Sequence, residues 1–282
     1  SSGLTIVFQA FTVSDSDEAG CEVALKKPKE IPSSSLQNPS DPEAGYDSYK
    51  GQGYQVQVME TYCDDEAVRE KTLNLITHVA VEPANVSDCH ALIPALESAG
   101  ERGLAPGEVL ADSLYGSDEN LEKAREMAVD VIAPALGAPK EGSLSLIDFP
   151  QNEKGRIIAC PRGHAPVKYK EGKKGVYSIA FASEDCSVCP LRDQCPVKPG
   201  RKRHYLRFHY KALRLAGRRA QEHTSEFRDK YRWRAGIEAT FSEMDRKTGI
   251  KRLRIRGLSA VGYCARLKAI GVNLFRAARV KR

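Results

Sequence analysis

The stretch "EVLADSLYGSDENLEKAREMAVDVIAPAL", residues 108–136, decides the fold. It begins with a short apolar strand that ends at Asp112, and it closes with a second short strand, "DVIAPAL". Between the two strands, Ser117 precedes Asp118 and Glu119 as the cap and the acidic first turn of a helix. A strand, a helix and a strand in series predict parallel strands inside an α/β layer.

The sequence before this stretch adds a predicted strand pair and a helix. "GYQVQVMET", Gly53–Thr61, alternates its side chains between two faces, and "LITHVAVEP", Leu75–Pro83, follows after a charged loop. These runs predict two paired strands with a hairpin-like connection. "SDCHALIPALESAGERG", residues 87–103, predicts a helix that is capped by Ser87. Residues 14–53 are rich in Ser, Pro, Asp and Gly, a composition typical of loop or linker.

The sequence after this stretch changes character twice. Residues 141–210 combine Cys, Gly and Lys with short β-type runs such as "GVYSIAFAS", and we interpret them as a small insertion poor in core residues. Helical signals with few breakers return over residues 211–247. "AVGYCARLKAIGVNLFRAARV", residues 260–280, predicts a final helix.

Charge is distributed unevenly along the chain. Residues 198–282 contain 25 Lys and Arg against 6 Asp and Glu, a net charge of +19, whereas residues 1–197 contain 18 against 31, a net of −13. Clustered cations gain affinity for a polyanion by releasing condensed counterions, so the basic end predicts a nucleic-acid partner. The alternative is a solvated basic tail, although here the cations alternate with apolar residues at helical spacing.

Composition also narrows the class of protein. The sequence has no apolar stretch long enough to span a membrane, which predicts a soluble, cytoplasmic protein without a membrane partner. Eight cysteines in 282 residues are too sparse for a secreted disulfide framework, and several are grouped, which favours a reducing compartment.

Two acidic residues stand at positions that suit chemistry. Asp112 ends a strand, where α/β proteins place ligands, although a lone Asp there is more often a loop or capping residue. In "YRWRAGIEATF", residues 231–241, Glu238 lies among cations and aromatic rings. On a continuous helix Tyr231, Arg234 and Glu238 share one face, together with Asp245. An ordinary surface ion pair between Arg234 and Glu238 is the alternative.

The ordered set of motifs resembles the DDE transposases of bacterial insertion sequences, in the branch with a Tyr-Arg-Glu signature helix. The resemblance runs from about Asp41 to the C-terminus. It is carried by "SDPEAGYDSYKGQGYQVQVMET", "LITHVAVEPANVSDCHALIPALE", "EVLADSLYGSDEN", "YRWRAGIEATFSE" and "GIKRLRIRGL". Each segment is weak alone, whereas their order along the chain is specific.

The resemblance implies a ribonuclease H-like mixed sheet flanked by helices, with a small cysteine-rich β insertion. It divides the chain into a linker or remnant of an upstream region (1–52), a first part of the catalytic core (53–140), the insertion (141–210) and a helical C-terminal part that carries Glu238 (211–282).

The resemblance also implies an activity: cleavage and strand transfer of DNA that depends on Mg²⁺ or Mn²⁺. Asp112 matches the second metal-binding acid and Glu238 the third, and Tyr231 and Arg234 match supporting residues of the signature. Carboxylate oxygens suit Mg²⁺, and two such ions can clamp both oxygens of an in-line phosphodiester displacement. The implied partners are the element ends, target DNA and a second copy of the chain on DNA, in the bacterial cytoplasm at the nucleoid.

The sequence departs from the family pattern at two points. Asp245 occupies the position where the family carries Lys, although Arg246 and Lys247 follow it. No predicted strand that ends in Asp precedes Asp41, so the first acid is not assigned, and Asp41 and Asp47 lie in predicted loops. These observations predict an N-terminally truncated copy and leave the activity of this chain open. Asp88 has two open interpretations, a neighbour of the active site or part of a helix cap.

The grouped cysteines suggest a second kind of site. "CPRGH" contains Cys160 and His164, and "CSVCPLRDQC" contains Cys186, Cys189 and Cys195. This spacing predicts a structural Zn²⁺ held by the four cysteines, with His164 as a spare ligand. The alternative is a set of reduced, buried thiols. The remaining cysteines, Cys21, Cys63, Cys89 and Cys264, are scattered and read as small hydrophobic residues.

Two basic stretches are candidates for DNA binding. "KPGRKRHYLRFHYKALRLAGRRA", residues 198–220, could track phosphates or form an ordinary helical surface. The second follows the Glu238 helix, and its candidate DNA contacts are Arg246, Lys247, Lys251, Arg252, Arg254 and Arg256. Two other functions fit the same sequence: a non-catalytic, DNA-binding remnant of a transposase, and a zinc-binding adaptor in which Glu238 has no role.

Overall fold

A computed structural model describes residues 11–16, 20–68, 71–138 and 141–280 of the chain. The chain divides into two compact units. The first unit comprises residues up to 107 together with residues from 233 onward, and the second unit comprises residues 108–232.

The regular elements alternate between strands and helices over most of the chain. The strands are β1 Phe11–Ser16, β2 Gly20–Leu25, β3 Gly45–Asp47, β4 Gly51–Glu60, β5 Ile76–Pro83, β6 Glu108–Leu110, β7 Asp130–Ile132, β8 Lys168–Glu171, β9 Val176–Phe181, β10 Lys198–Pro199 and β11 His204–His209. The α-helices are α1 Leu92–Glu101, α2 Asp118–Glu126, α3 Ser183–Ser187, α4 Tyr210–Glu222, α5 Ser225–Tyr231, α6 Gly236–Thr248 and α7 Leu258–Val280.

The predicted strand pair forms the centre of the first unit. β4 and β5 are antiparallel, with Val56 opposite Val81 and Val58 opposite Val79, and short β3 pairs with the start of β4. α1, α6 and α7 belong to the same unit, and Met244 of α6 packs with Val272 of α7 and Ile76 of β5 in a buried cluster. The paired strands are therefore confirmed.

The prediction of loop for residues 14–53 was wrong at three strands. β1 and β2 form an antiparallel hairpin with Phe11 opposite Leu25, and β3 pairs with β4 through a tight turn. In that turn the Asp47 carboxylate accepts hydrogen bonds from the N–H groups of Tyr49 and Lys50 at 2.8 and 2.9 Å. Turn-forming residues dominate the local composition, and they conceal short strands whose pairing depends on the neighbouring segment.

The predicted cap of α1 was also wrong. The helix begins at Leu92, and Ser87 makes no side-chain capping bond, because residues Asp88–His90 form a separate 3₁₀ turn. The apolar face is as expected, with Leu92 and Leu96 buried.

The opening stretch folds as predicted in the second unit. β6 and β7 are parallel, with Glu108 opposite Asp130 and Leu110 opposite Ile132, and α2 connects them. The Ser117 side chain accepts a hydrogen bond from the N–H of Asn120 at 3.2 Å, so the predicted cap is present. The chain is therefore a mixed α/β protein with parallel and antiparallel strands.

Residues 141–210 contain more core than the sequence suggested. β10, β11, β9 and β8 form an antiparallel sheet in that order, and a buried cluster packs with it. The cluster contains Phe149, Ile157, Ile179, Phe181, Val197, Leu206, Phe208 and Leu213. The expectation of a segment poor in core residues was thus wrong, because its apolar residues are spaced too irregularly to show a period. That the segment is an insertion stays a prediction.

The helical region after residue 210 is interrupted twice. α4 ends at Glu222, α5 ends at Tyr231, and residues Arg232–Ala235 form a 3₁₀ segment before α6 begins at Gly236. Thr224 caps α5 by accepting a hydrogen bond from the N–H of Phe227 at 3.2 Å. Among the described residues, no helix is both long enough and apolar enough to cross a membrane.

Candidate active site and nucleic-acid surface

Asp112 lies directly after the parallel strand pair. The N–H of Ala111 donates to the carbonyl of Ile132 at 3.0 Å, which continues the pairing of β6 and β7 by one residue. The half-buried Asp112 carboxylate accepts a hydrogen bond from the N–H of Ser113 at 2.6 Å. The carboxylate therefore occupies the carboxyl end of a parallel strand, as predicted, where side chains project beyond the sheet.

Arg218 of α4 holds the loop that follows Asp112. Its guanidinium donates to the carbonyl of Gly116 at 2.7 Å and to the carbonyls of Ala133 and Pro134 at 3.0 and 3.3 Å. Burial lowers the pKa of Arg218 from its ordinary value. The loops that follow β6 and β7 are thus tied together by one half-buried cation.

The other arginines of α4 also make contacts inside the second unit. Arg214 forms a bidentate pair with Asp118 at 2.6 and 2.9 Å and binds Glu122 at 2.8 Å. Arg219 donates to the carbonyls of Leu136 and Gly137 at 3.1 and 3.0 Å. These cations anchor α4 within the unit, so the ordinary structural interpretation of the first basic stretch holds for them.

Glu238 lies in the first turn of α6 with its side chain 67% exposed. Arg234, in the preceding 3₁₀ segment, places its guanidinium 3.4 Å from the Glu238 carboxylate. Tyr231 ends α5, and its ring stacks on Phe227 with centroids 5.4 Å apart. The expectation that these residues share a face of one continuous helix was wrong, because the backbone changes to 3₁₀ geometry between Tyr231 and Glu238. The Arg234–Glu238 pair itself is present.

A buried polar network that sequence reasoning missed fixes α6 against β4 and α7. Arg276 donates to Glu60 at 3.0 Å, to Glu243 at 2.9 Å and to the Thr240 hydroxyl at 2.6 Å. Thr240 also donates to Glu60 at 2.5 Å. The side chains of Arg276, Glu60 and Glu243 are only 14%, 9% and 15% exposed. Thr240 is two residues from Glu238, so the network fixes the helix that carries the candidate acid.

The network also sets the protonation of Glu243. Burial alone would raise its pKa, but hydrogen bonds from Lys247 and Arg276 outweigh it and lower the pKa below the ordinary value of 4.5. The Glu243 carboxylate is therefore held in its charged form. In the sequence, the only signals of this network were an acid at the end of β4 and an arginine within an apolar helix.

The "SDPEAG" segment, residues 40–45, binds the start of α7. The Asp41 carboxylate accepts hydrogen bonds from the Tyr54 hydroxyl at 2.6 Å and from the N–H of Gly257 at 3.1 Å. Glu43 accepts from the N–H of Leu258 at 2.8 Å. Carboxylates at a helix N-terminus satisfy its unpaired N–H groups and interact favourably with its dipole. Asp41 is buried and serves this structural role.

The candidate DNA-binding residues lie in the last turn of α6 and in the segment that connects α6 to α7. Arg246 and the four cations of the connecting segment, Lys251, Arg252, Arg254 and Arg256, have exposed side chains. Lys247 is occupied instead, since it pairs with Glu243 at 2.5 Å and lies over the Phe275 ring at 4.8 Å. The connecting segment thus presents cations at a surface whose end is held by Asp41 and Glu43.

Two other acids named in the sequence analysis have local partners. Asp88 binds the Lys50 ammonium at 2.7 Å and accepts from Gln57 at 3.0 Å, so it links β4 to the turn before α1 and caps no helix. Asp47 stabilises its own turn, and the N–H groups of Lys50 and Tyr49 lower its pKa.

The four grouped cysteines line one pocket in the second unit. Cys160, Cys186, Cys189 and Cys195 border it together with His164 and Phe181. Burial raises the pKa of the Cys186 and Cys195 thiols, and neighbouring cysteines of the group add to the shift. Every cysteine whose side chain is described is free of a disulfide. Within the described ranges, no three His, Cys, Asp or Glu side chains stand in a ready-made metal-binding arrangement.

Comparison with protein families identifies a large part of the chain. Residues 159–278 match the family model described as "Transposase DDE domain". Residues 159–278 are thus similar to the DDE domain of transposases. No curated protein and no solved structure matches it.

The match covers one part of the candidate site. It includes Glu238, Arg234, the exposed cations and the four grouped cysteines, and it begins after Asp112. Asp112 belongs to the second unit, whereas Glu238 belongs to the first. Their convergence on shared metal ions stays a prediction.

Proposed function

We propose that the chain acts in transposition of an insertion sequence, by cleaving DNA strands and joining them to target DNA with the help of divalent metal ions. The observation that carries the proposal is the transposase match over residues 159–278, which contains the exposed Glu238 carboxylate and the exposed basic segment behind its helix. Transposase function implies DNA as the partner. The homodimer and the nucleoid location remain predictions from the resemblance.

In this proposal Asp112 and Glu238 supply carboxylate oxygens to Mg²⁺ or Mn²⁺. Both side chains are accessible to solvent. The parallel strand pair fixes the backbone before Asp112, and the first turn of α6 fixes the backbone of Glu238. When bound, the ions would activate the attacking oxygen and stabilise charge on the leaving oxygen of a phosphodiester. Water would attack first to free a 3′-hydroxyl, which would then attack target DNA.

Arg234 is proposed to orient Glu238. Their separation of 3.4 Å and the large exposure of Glu238 make this a weak pair in free protein, worth about 0.2–1 kcal/mol. When DNA arrives, the guanidinium could exchange this weak pair for a phosphate oxygen. The Tyr231 ring, stacked on Phe227, would fix the end of α5 just before Arg234.

The first acid of the family is not assigned to a residue. Asp41 is committed to Tyr54 and the start of α7, Asp47 to its own turn, and Asp88 to Lys50. These contacts use the carboxylates locally, which argues against a metal-binding role for any of the three.

A test that does not depend on catalysis measures Mn²⁺ binding by the 282-residue chain, using electron paramagnetic resonance of the free ion. Glu238→Gln and Asp112→Asn keep side-chain shape but lose the charge. We expect each substitution to weaken Mn²⁺ binding at least about tenfold, since one tenfold step corresponds to only about 1.4 kcal/mol. Cleavage of element-end DNA should fall in the same variants.

Glu226→Gln is the matched control, because Glu226 is also an exposed acid in the first turn of a helix. It should bind Mn²⁺ like the unaltered chain. Equal Mn²⁺ binding by all three variants would overturn the assignment of Asp112 and Glu238. The non-catalytic remnant is not favoured by any observation, and it predicts unchanged Mn²⁺ binding together with normal DNA binding.

A further inference from the structure

The cysteine pocket has no role in the proposed DNA chemistry, yet four thiols meet there from three separate segments. Cys160 precedes β8, Cys186 lies in α3, Cys189 follows α3, and Cys195 precedes β10. All four line the same pocket. Four thiols that converge without forming a disulfide suggest a ligand set.

The backbone around these cysteines is folded into tight turns. The N–H of Cys160 donates to the His164 carbonyl at 2.9 Å, and the N–H of Gly163 donates back to the Cys160 carbonyl at 2.8 Å. The N–H of Cys189 donates to the Cys186 carbonyl at 3.4 Å, and the N–H of Cys195 to the Arg192 carbonyl at 3.3 Å. Such turns fix the backbone next to each cysteine.

The surroundings favour a soft cation over a hard one. Leu191, Val197 and Phe181 line the pocket beside the thiols, and Asp185 is the carboxylate in its described lining. His164 lies 3.5 Å from Asp185, which occupies its ring and leaves the four cysteines as the candidate ligands. Arg192 lines the pocket as well and would offset part of the negative charge of four thiolates.

We propose that Cys160, Cys186, Cys189 and Cys195 bind one structural Zn²⁺ ion in tetrahedral geometry. Binding would release the thiol protons and rotate the side chains until each sulfur lies about 2.3 Å from the ion.

The ion would clamp the edge of the second unit's core. Cys160, Cys186 and Cys195 pack against the buried cluster that includes Leu213 of α4. α4 also carries Arg218, which holds the Gly116 carbonyl in the loop after Asp112. Metal binding at the pocket would therefore stabilise the helix that positions the Asp112 loop.

The experiment titrates the full chain with Co²⁺ after removal of bound metal and records the thiolate-to-cobalt charge-transfer and d–d bands. We expect one Zn²⁺ per purified chain and a spectrum of tetrahedral cobalt bound to four thiolates. Cys186→Ser should raise the apparent Kd for Co²⁺ about 100-fold or more, because a direct ligand contributes more than the roughly 10–100-fold of an outer partner.

Three further variants keep the test decisive if Cys186→Ser does not fold. Cys189→His retains a possible ligand, so it should still bind one Co²⁺ with a weaker charge-transfer band. His164→Ala and the distant Cys63→Ser should leave the spectrum unchanged. Absence of Zn²⁺ and of a cobalt spectrum would overturn the proposal, as would a purified chain with a Cys186–Cys189 disulfide, or a metal that all cysteine variants retain.

Discussion

At the scale of single residues, Gly116 shows how closely the Asp112 loop is packed. A Cβ atom at this position would lie 2.7 Å from the Arg218 guanidinium, 3.0 Å from the Cβ of Ala133 and 3.1 Å from the Pro134 carbonyl oxygen. Real Cβ atoms essentially never come within 2.7 Å of another atom, and separations of 3.0–3.1 Å are rare, so Arg218 and its neighbours would have to shift. The residue is small because the arginine that ties the two loops passes directly over it.

We therefore expect Gly116→Ala to lower the free energy of unfolding by about 1–3 kcal/mol, the usual cost of overpacking. Urea unfolding followed by circular dichroism measures the change. Gly107→Ala is the control, because a Cβ there meets no atom within 4 Å, and it should change stability by no more than about 0.5 kcal/mol. Equal stability of the two variants would show that Arg218 does not hold the loop.

The ion pair of Arg234 and Glu238 illustrates a different residue-scale property. The pair is exposed, whereas Thr240, two residues further along, is buried in the network with Glu60. Glu238 thus stands at the boundary between a fixed helix and solvent. A carboxylate that must meet both metal ions and DNA needs this combination of fixed backbone and open side chain.

At the scale of elements, Arg276 joins α6, α7 and β4. Its guanidinium binds Glu60 and Glu243 and also donates to the carbonyl of Asn74 at 2.6 Å. Removing one member of a buried ionic network leaves the other charges without partners, which costs more than the pair itself contributes.

We expect Arg276→Met to lower the free energy of unfolding by about 3–5 kcal/mol at neutral pH, as measured by urea unfolding. Arg279→Met, at an exposed position on the same helix, should have little effect. An equal decrease in the free energy of unfolding of both variants would mean that the network does not stabilise α6.

The same substitution should change the response to acid. Because the pKa of Glu243 is lowered in the folded chain, its contribution is fully present above pH 4.5 and is lost as the pH falls through the folded value. Arg276→Met removes one cause of the lowered pKa. Its stability, measured by urea unfolding at a series of pH values, should therefore fall less steeply below pH 4.5 than that of the unaltered chain.

At the scale of the whole molecule, the cations fall into two groups: those that stabilise the fold and those whose side chains are exposed and available to DNA. The +19 net charge of residues 198–282 includes Arg214, Arg218 and Arg219, which bind carboxylates and carbonyls of the second unit. The cations of the segment before α7 lie in the first unit, and their side chains are exposed. Net charge alone therefore overstates the surface available to phosphates.

We expect the double variant Arg254→Ala, Arg256→Ala to weaken binding to duplex DNA of any sequence. The slope of log K against log salt should fall in magnitude by about 1.8, or about 0.9 for each phosphate that is no longer neutralised. Lys154→Ala combined with Lys173→Ala removes the same charge at exposed positions of the second unit and should leave the slope nearly unchanged. Equal slopes for both double variants would contradict a localised DNA surface.

The local parts of the fold could be predicted because they are encoded in neighbouring residues. β6, α2 and β7 follow from a short apolar run, a Ser117 cap and a second apolar run. β4 and β5 follow from alternation. The 3₁₀ segment at Arg232–Ala235 could not be predicted, since Arg, Trp and Ala there are all compatible with a continuous helix.

The sequence by itself determined the α/β class, the position of Asp112 after a strand, the grouping of the cysteines and the resemblance to DDE transposases. Only the tertiary structure decided which charged residues are internal, because Arg276 and Glu60 are 216 residues apart and no local pattern relates them. It also decided that Asp41 fixes the start of α7 and that the cysteine segment has a core of its own. Contacts between distant residues depend on the folded path of the chain, whereas periodicity and capping report only its immediate neighbours.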